Sequence, residues 1–89
     1  MAELVTEEIL KDPFVASVAL SLSVANEKAQ EYGMDLTKYL ISITQETTAE
    51  KVLWRIHYGP KDYIHRRGGD LVIYVSQEDG MIQKVLRGQ

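Results

Sequence analysis

The chain has 89 residues, of which 45% are hydrophobic and 26% charged, with a net charge of −3 and no cysteine. This length suits one domain, the composition excludes a disordered chain, and the lack of cysteine excludes disulfides and thiolate metal ligands. The N-terminus has no signal-peptide pattern, and the apolar stretch at residues 14–25 is too short and too interrupted by serine to span a membrane. We therefore expect one cytoplasmic domain over residues 1–89.

Charge is unevenly distributed along the chain. Residues 1–50 contain nine acidic and three basic residues, whereas residues 51–89 contain seven basic and four acidic residues. The net charges of the two parts are therefore −6 and +3. We expect an anionic and a cationic region on the surface, and this separation would steer charged partners.

The first part of the chain predicts one long helix, preceded by a short helix that Thr6 could cap. Asp12 as N-cap, Pro13 in the first turn and Gly33 after the last turn are typical boundaries of the long helix. Between them, apolar residues recur every three or four positions, as one helical face requires: Phe14, Val18, Leu22, Ala25, Ala29 and Tyr32.

A strand is the alternative interpretation of residues 18–24, because larger apolar residues there alternate with alanine and serine. The boundary signals at both ends and the helix formers in the second half favour the helix.

Four strands follow, at residues 40–44, 52–58, 71–75 and 81–86. Asp79-Gly80 predicts a hairpin turn between the last two strands. Gly59-Pro60 is interpreted as a turn after the second strand, within a long loop over residues 59–70. In that loop, Gly68-Gly69 would permit a bulge or a sharp bend before the third strand.

A helix followed by four strands predicts an α+β fold with one long helix packed on a four-stranded antiparallel sheet. Strand alternation places Trp54, Ile56 and Tyr58 on the helix side of this sheet. Arg55, His57 and Tyr74 then lie on the other side, which must meet solvent or a partner.

The C-terminal half combines a tryptophan strand (residues 54–58), the pair Gly68-Gly69, the strand at residues 70–75 and the Asp79-Gly80 hairpin. Over residues 25–89 this pattern resembles small cystatin-like domains, either PepSY-type domains or immunity proteins of the nuclear-transport-factor fold. The resemblance implies the order α-β-β-β-β and a non-enzymatic, protein-binding or inhibitory role, and it carries over no catalytic residue. PepSY-type domains are usually exported, and the immunity-type fold often has further N-terminal helices; the sequence departs from both patterns.

The sheet face opposite the helix and the loop over residues 59–70, here called the basic loop, form the candidate binding surface. Basic residues interleaved with aromatic ones can bind the phosphates and stack on the bases of a nucleic acid. The net negative charge of the whole domain, however, disfavours nucleic-acid binding. We expect another protein with acidic character as the partner; the alternative is that Arg66 and Arg67 are simply solvated. The candidate binding residues are Arg55, His57, Lys61, Tyr63, His65, Arg66, Arg67 and Tyr74.

Metal binding and catalysis have weaker support. The histidines, His57 and His65, with Asp62 between them, match no known metal-site spacing, so no cofactor is expected. Ser17, Ser21 and Ser23 lie on the predicted helix with no histidine near them in sequence, and no carboxylate lies in an apolar strand that would raise its pKa. The sequence leaves open whether His57 pairs with an aspartate once the chain has folded.

Two alternatives to a binding module are a small-ligand or enzymatic pocket between helix and sheet, and a homodimer formed through the sheet face opposite the helix or through a strand edge.

Overall fold

The computed structural model of the protein describes residues 11–61 and 69–88. A helix, α1 (Pro13–Glu31), and a 3-10 turn (Leu36–Lys38) precede four strands: β1 (Tyr39–Thr47), β2 (Val52–Pro60), β3 (Leu71–Ser76) and β4 (Ile82–Arg87). The strands pair antiparallel in chain order. The predicted α+β fold is therefore confirmed, with the cystatin-like order α-β-β-β-β. The short helix predicted before Asp12 lies outside the described residues.

The boundaries of α1 follow from local chemistry. The Asp12 side chain accepts hydrogen bonds from the backbone N–H groups of Phe14 and Val15, at 2.9 and 3.3 Å, and Pro13 begins the first turn. After the last turn Gly33 adopts a φ of +80°, a conformation that side chains with a Cβ rarely adopt. The strand interpretation of residues 18–24 is wrong, because both capping signals operate and the segment is helical throughout.

The face of α1 that meets the sheet is built from small residues. Ser21, Ala25 and Ala29 are its buried positions, so the helix backbone lies close to the strands. Phe14 and Tyr32, predicted for the same face, are 53% and 39% exposed. They lie at the two ends of the helix, where Phe14 packs edge to face against Trp54 and the guanidinium of Arg87 lies over the ring of Tyr32.

The core lies between α1 and the two central strands. The sheet contributes six buried side chains: Trp54, Ile56, Tyr58, Leu71, Ile73 and Val75. The predicted alternation of β2 is confirmed, and burial of each large side chain contributes roughly 1.5–3 kcal/mol.

The β3–β4 hairpin also forms as predicted. Gly80 has a φ of +71°, and the backbone N–H of Ser76 donates to the carbonyl of Met81 across the turn. Gly69 has a φ of +85°, in agreement with a bend before β3. The bulge of the sheet instead lies in β3, between Tyr74 and Val75.

The interpretation of Gly59-Pro60 as a turn is wrong, because both residues continue β2 and pair with Leu40 and Tyr39. The backbone nitrogen of Pro60 faces the β3 side of β2, where strand pairing has already ended at Tyr58. Proline therefore removes no ladder hydrogen bond there. Within the described part of the chain, no helix combines the length and hydrophobicity that crossing a membrane requires.

Candidate functional site

The sheet surface opposite α1, here called the open face, is covered by no helix or strand among residues 11–61 and 69–88. Its centre is a row of three side chains on adjacent strands: Arg55, Tyr74 and Lys84 stand directly opposite one another in the register. Side chains that face each other across antiparallel strands share one side of the sheet, with Cβ atoms about 5 Å apart. The row therefore places an aromatic ring between two cations.

Arg55 is available for further contacts. Its side chain is 36% exposed, and its Nε lies 3.7 Å from a carboxylate oxygen of Glu46. An ion pair between two exposed groups at that distance contributes little, on the order of 0–1 kcal/mol. A partner's carboxylate can therefore compete for this guanidinium at small cost, and it can do so bidentately.

A second polar pair lies on the same face. His57 Nε2 is 2.7 Å from Asp70 Oδ2, and both side chains are partly exposed. Asp70 is also held through its backbone, because the N–H of Gly88 donates to its carbonyl at 2.7 Å. The His57 ring lies over Gly59, where an added Cβ would come within 3.0 Å of Cε1. The absence of a side chain at Gly59 thus allows the ring to reach Asp70.

The His57–Asp70 pair holds together the two ends of the β2–β3 connection. A histidine oriented by a carboxylate can also serve as a general base. Among the described residues, however, Asp70 is the sole hydrogen-bond partner of the His57 ring. Ser42 stands opposite His57 on β1 and makes no hydrogen bond to it. The pair therefore orients a polar ring, and no hydroxyl group among the described residues is hydrogen-bonded to that ring.

Apolar side chains flank the polar centre. Leu40 on β1 and Leu86 on β4 are 60% and 42% exposed, at opposite edges of the sheet. Tyrosine and arginine are enriched among the residues that dominate binding energy at protein interfaces, and the exposed leucines add apolar contact area around them.

The candidate residues predicted from the sequence have different outcomes. Arg55, His57 and Tyr74 lie together on the open face, as expected. Lys61 Nζ donates to the carbonyl of Thr37, 3.0 Å away, beside the 3-10 turn. The other predicted binding residues lie outside the described residues: Tyr63, His65, Arg66 and Arg67.

Two residues of the open face were missed by sequence reasoning. Lys84 joins the row because the β3–β4 register places it opposite Tyr74. A bulge between Tyr74 and Val75 shifts that register on the side of the hairpin turn, so counting residues back from the turn does not predict the pair. Asp70 becomes the partner of His57 through pairing of β2 with β3, which spacing along the chain cannot reveal. Across residues 11–61 and 69–88, no three histidine, aspartate or glutamate side chains form a group that could hold a metal. The metal candidates Asp62 and His65 lie outside those ranges.

The space between α1 and the sheet is filled at its centre by the rings of Trp54 and Tyr58, both buried. A cleft of about 310 Å³ lies at one end, beside Ser17 and Leu20, and another of about 200 Å³ lies at the other end, beside Tyr39. These two clefts are separated by packed core, so they do not form one ligand pocket.

Comparison with known proteins finds no matching family model, no matching curated protein and no matching solved structure.

Proposed function

We propose that the protein is a non-catalytic binding module whose open face binds an acidic segment of another protein. The observation that carries this proposal is the row Arg55–Tyr74–Lys84 at the centre of an uncovered sheet face. Two cations around a tyrosine favour a ligand that brings carboxylates and an apolar or aromatic group together. The packed centre of the helix–sheet interface supports binding at the surface rather than in an internal pocket.

The finer assignment is an inhibitor or immunity-type protein, which blocks its target by occupying it. It is supported by the resemblance of residues 25–89 to cystatin-like domains and by the helix-then-meander order. A rigid sheet suits this role, because groups that are already ordered lose little entropy on binding.

The experiment begins with capture of the partner from cells that produce the protein, followed by titration of the purified pair by calorimetry. Arg55→Gln should weaken binding about tenfold, which corresponds to about 1.4 kcal/mol. The double variant Arg55→Glu/Lys84→Glu should abolish binding, because it places two like charges against an acidic partner. Binding to the wild type should also weaken as salt rises.

Lys28→Gln is the matched control. Lys28 lies on α1, its side chain is 34% exposed, and it has one carboxylate partner, Glu31, just as Arg55 has Glu46. The substitution removes the same charge from the opposite side of the molecule. Equal losses in Arg55→Gln and Lys28→Gln would reduce the effect to net charge and overturn the open-face proposal. The same charge reversal at Arg66 and Arg67 tests whether the basic loop takes part.

A further inference from the structure

The two edges of the sheet differ in how well they are protected against pairing with another chain. Edge strands are usually short, charged or bulged, since each of these features blocks addition of a further strand. β4 has six residues, including Lys84 and Arg87, and pairs with the bulged part of β3. β1 has nine residues, and the seven from 39 to 45 carry no charge. Among the described residues, β2 is its sole neighbouring strand.

The outer edge of β1 presents a regular set of backbone groups. The hydrogen bonds of Thr48 with Lys51 and of Lys38 with Lys61 show that even-numbered residues of this segment direct their backbone toward β2. In an antiparallel ladder the alternate residues then point the other way. Ile41, Ile43 and Gln45 therefore offer both N–H and C=O groups at the edge, whereas the N–H of Tyr39 is used by the 3-10 turn.

We propose that β1 binds β1 of a second copy of this chain, antiparallel, about a twofold axis at Ser42. In this register Ile41 stands opposite Ile43 of the other copy, on the helix side of the sheet. Lys38 stands opposite Glu46 of the other copy, at each end of the paired segment. The pairing would form about six backbone hydrogen bonds and join two four-stranded sheets into one.

Side-chain matching selects the second copy as the occupant and Ser42 as its centre. Ile41 is 40% exposed although it lies on the helix side, and Ile43 is only partly buried. A partner isoleucine at each position would remove this apolar surface from water. A register shifted to centre on Ile43 places Leu40 opposite Glu46 and Ile41 opposite Gln45, and thereby loses both the charge match and the apolar match.

The first test is a cross-link across the proposed twofold axis. The chain has no cysteine, so Ser42→Cys introduces a single thiol. Opposite non-hydrogen-bonded residues approach closely enough for a disulfide, with Cα atoms about 4.5 Å apart. Mild oxidation should convert Ser42→Cys into a covalent dimer on a non-reducing gel. Thr44→Cys is the control, because Thr44 faces Leu40 of the other copy and should stay monomeric on that gel.

The second test measures the dimer without a cross-link, by sedimentation of the purified protein over a concentration series. Ile41→Lys should weaken dimerisation at least tenfold, because it brings two like charges into the apolar seam. Leu86→Lys, at a similarly exposed position on β4, should behave as the wild type. A monomeric wild type, equal cross-linking of both cysteine variants, or dissociation by Leu86→Lys instead of Ile41→Lys would each overturn the proposal. These measurements involve no other protein, so their outcome is independent of the proposed function.

Discussion

Trp54 and Tyr58 define how α1 sits on the sheet, because each buried ring also has a polar atom that needs a partner. Trp54 Nε1 donates to Ser17 Oγ at 3.1 Å, and the Ser17 hydroxyl donates to the carbonyl of Gln77 at 3.2 Å. The Tyr58 hydroxyl donates to Asn26 Oδ1 at 2.7 Å. Two directional bonds, made at positions along the helix separated by more than two turns, determine both its rotation and its position.

Burial raises the pKa of Tyr58 from its ordinary value of 10.0 to about 12. The unfolded chain then loses the phenolic proton at lower pH than the folded one. The free energy of unfolding contains the full stabilisation from neutral Tyr58 below pH 10. It should fall by roughly 2–3 kcal/mol as the pH rises from 10 to about 12. Urea unfolding at a series of alkaline pH values should show this decline.

Tyr58→Phe isolates this effect, because the other titrating groups are common to both proteins. We expect the variant to be about 1 kcal/mol less stable at pH 8, since Asn26 loses its hydrogen bond. Its free energy of unfolding should then fall less steeply above pH 10 than that of the wild type. Parallel declines in the two proteins would show that Tyr58 does not cause the alkaline loss.

At the scale of elements, α1 packs through a line of small residues, Ser17, Ser21, Ala25 and Ala29, each four residues after the last. Their size lets the large rings of β2 fill the space between helix and sheet. The two serines differ in hydrogen bonding. Ser17 accepts from Trp54, whereas the Ser21 hydroxyl is buried and has no hydrogen-bond partner among the described residues.

This difference predicts opposite effects of one chemical change. Ser21→Ala should raise the free energy of unfolding by about 1 kcal/mol, because it removes a buried hydroxyl with no partner. Ser17→Ala should lower it by a similar amount, because Trp54 Nε1 then loses its acceptor. Chemical denaturation of both variants provides the measurement. Both variants gain the same helix propensity from alanine, so each serves as the control for the other. A shift of both free energies in the same direction would contradict the different hydrogen bonding assigned to the two serines.

At the scale of the whole molecule, stability is concentrated in the two central strands. Ile56 and Ile73 face each other in the register and are both fully buried. Amide hydrogen exchange followed by NMR should therefore show the slowest exchange in β2 and β3. In dilute solution, the outward amides of Ile41 and Ile43 should exchange roughly tenfold faster or more.

Concentration then distinguishes a protected edge from an exposed one. If β1 pairs with a second copy, the amides of Ile41 and Ile43 should become protected as protein concentration rises, while those of β4 do not change. Slow exchange of both β1 amides at all concentrations would argue against an edge that is exposed in the monomer.

Local rules account for most of the elements. The long helix and its ends follow from Asp12, Pro13 and Gly33, because capping and left-handed termination depend on a few adjacent residues. The helix-facing alternation of Trp54, Ile56 and Tyr58 follows from strand periodicity. The extension of β2 through Gly59-Pro60 was missed, because tolerance of that proline depends on where the neighbouring strand ends.

The order α-β-β-β-β, the hairpin at Asp79-Gly80, and the sheet face that carries Arg55, His57 and Tyr74 were predictable from the pattern of residues. The pairing of Asp70 with His57, the place of Lys84 beside Tyr74, and the position of β1 at an edge of the described sheet depend on the tertiary structure. The reason is physical: periodicity acts between near neighbours in the chain, whereas strand register and sheet order bring together residues whose separation along the chain carries no such signal.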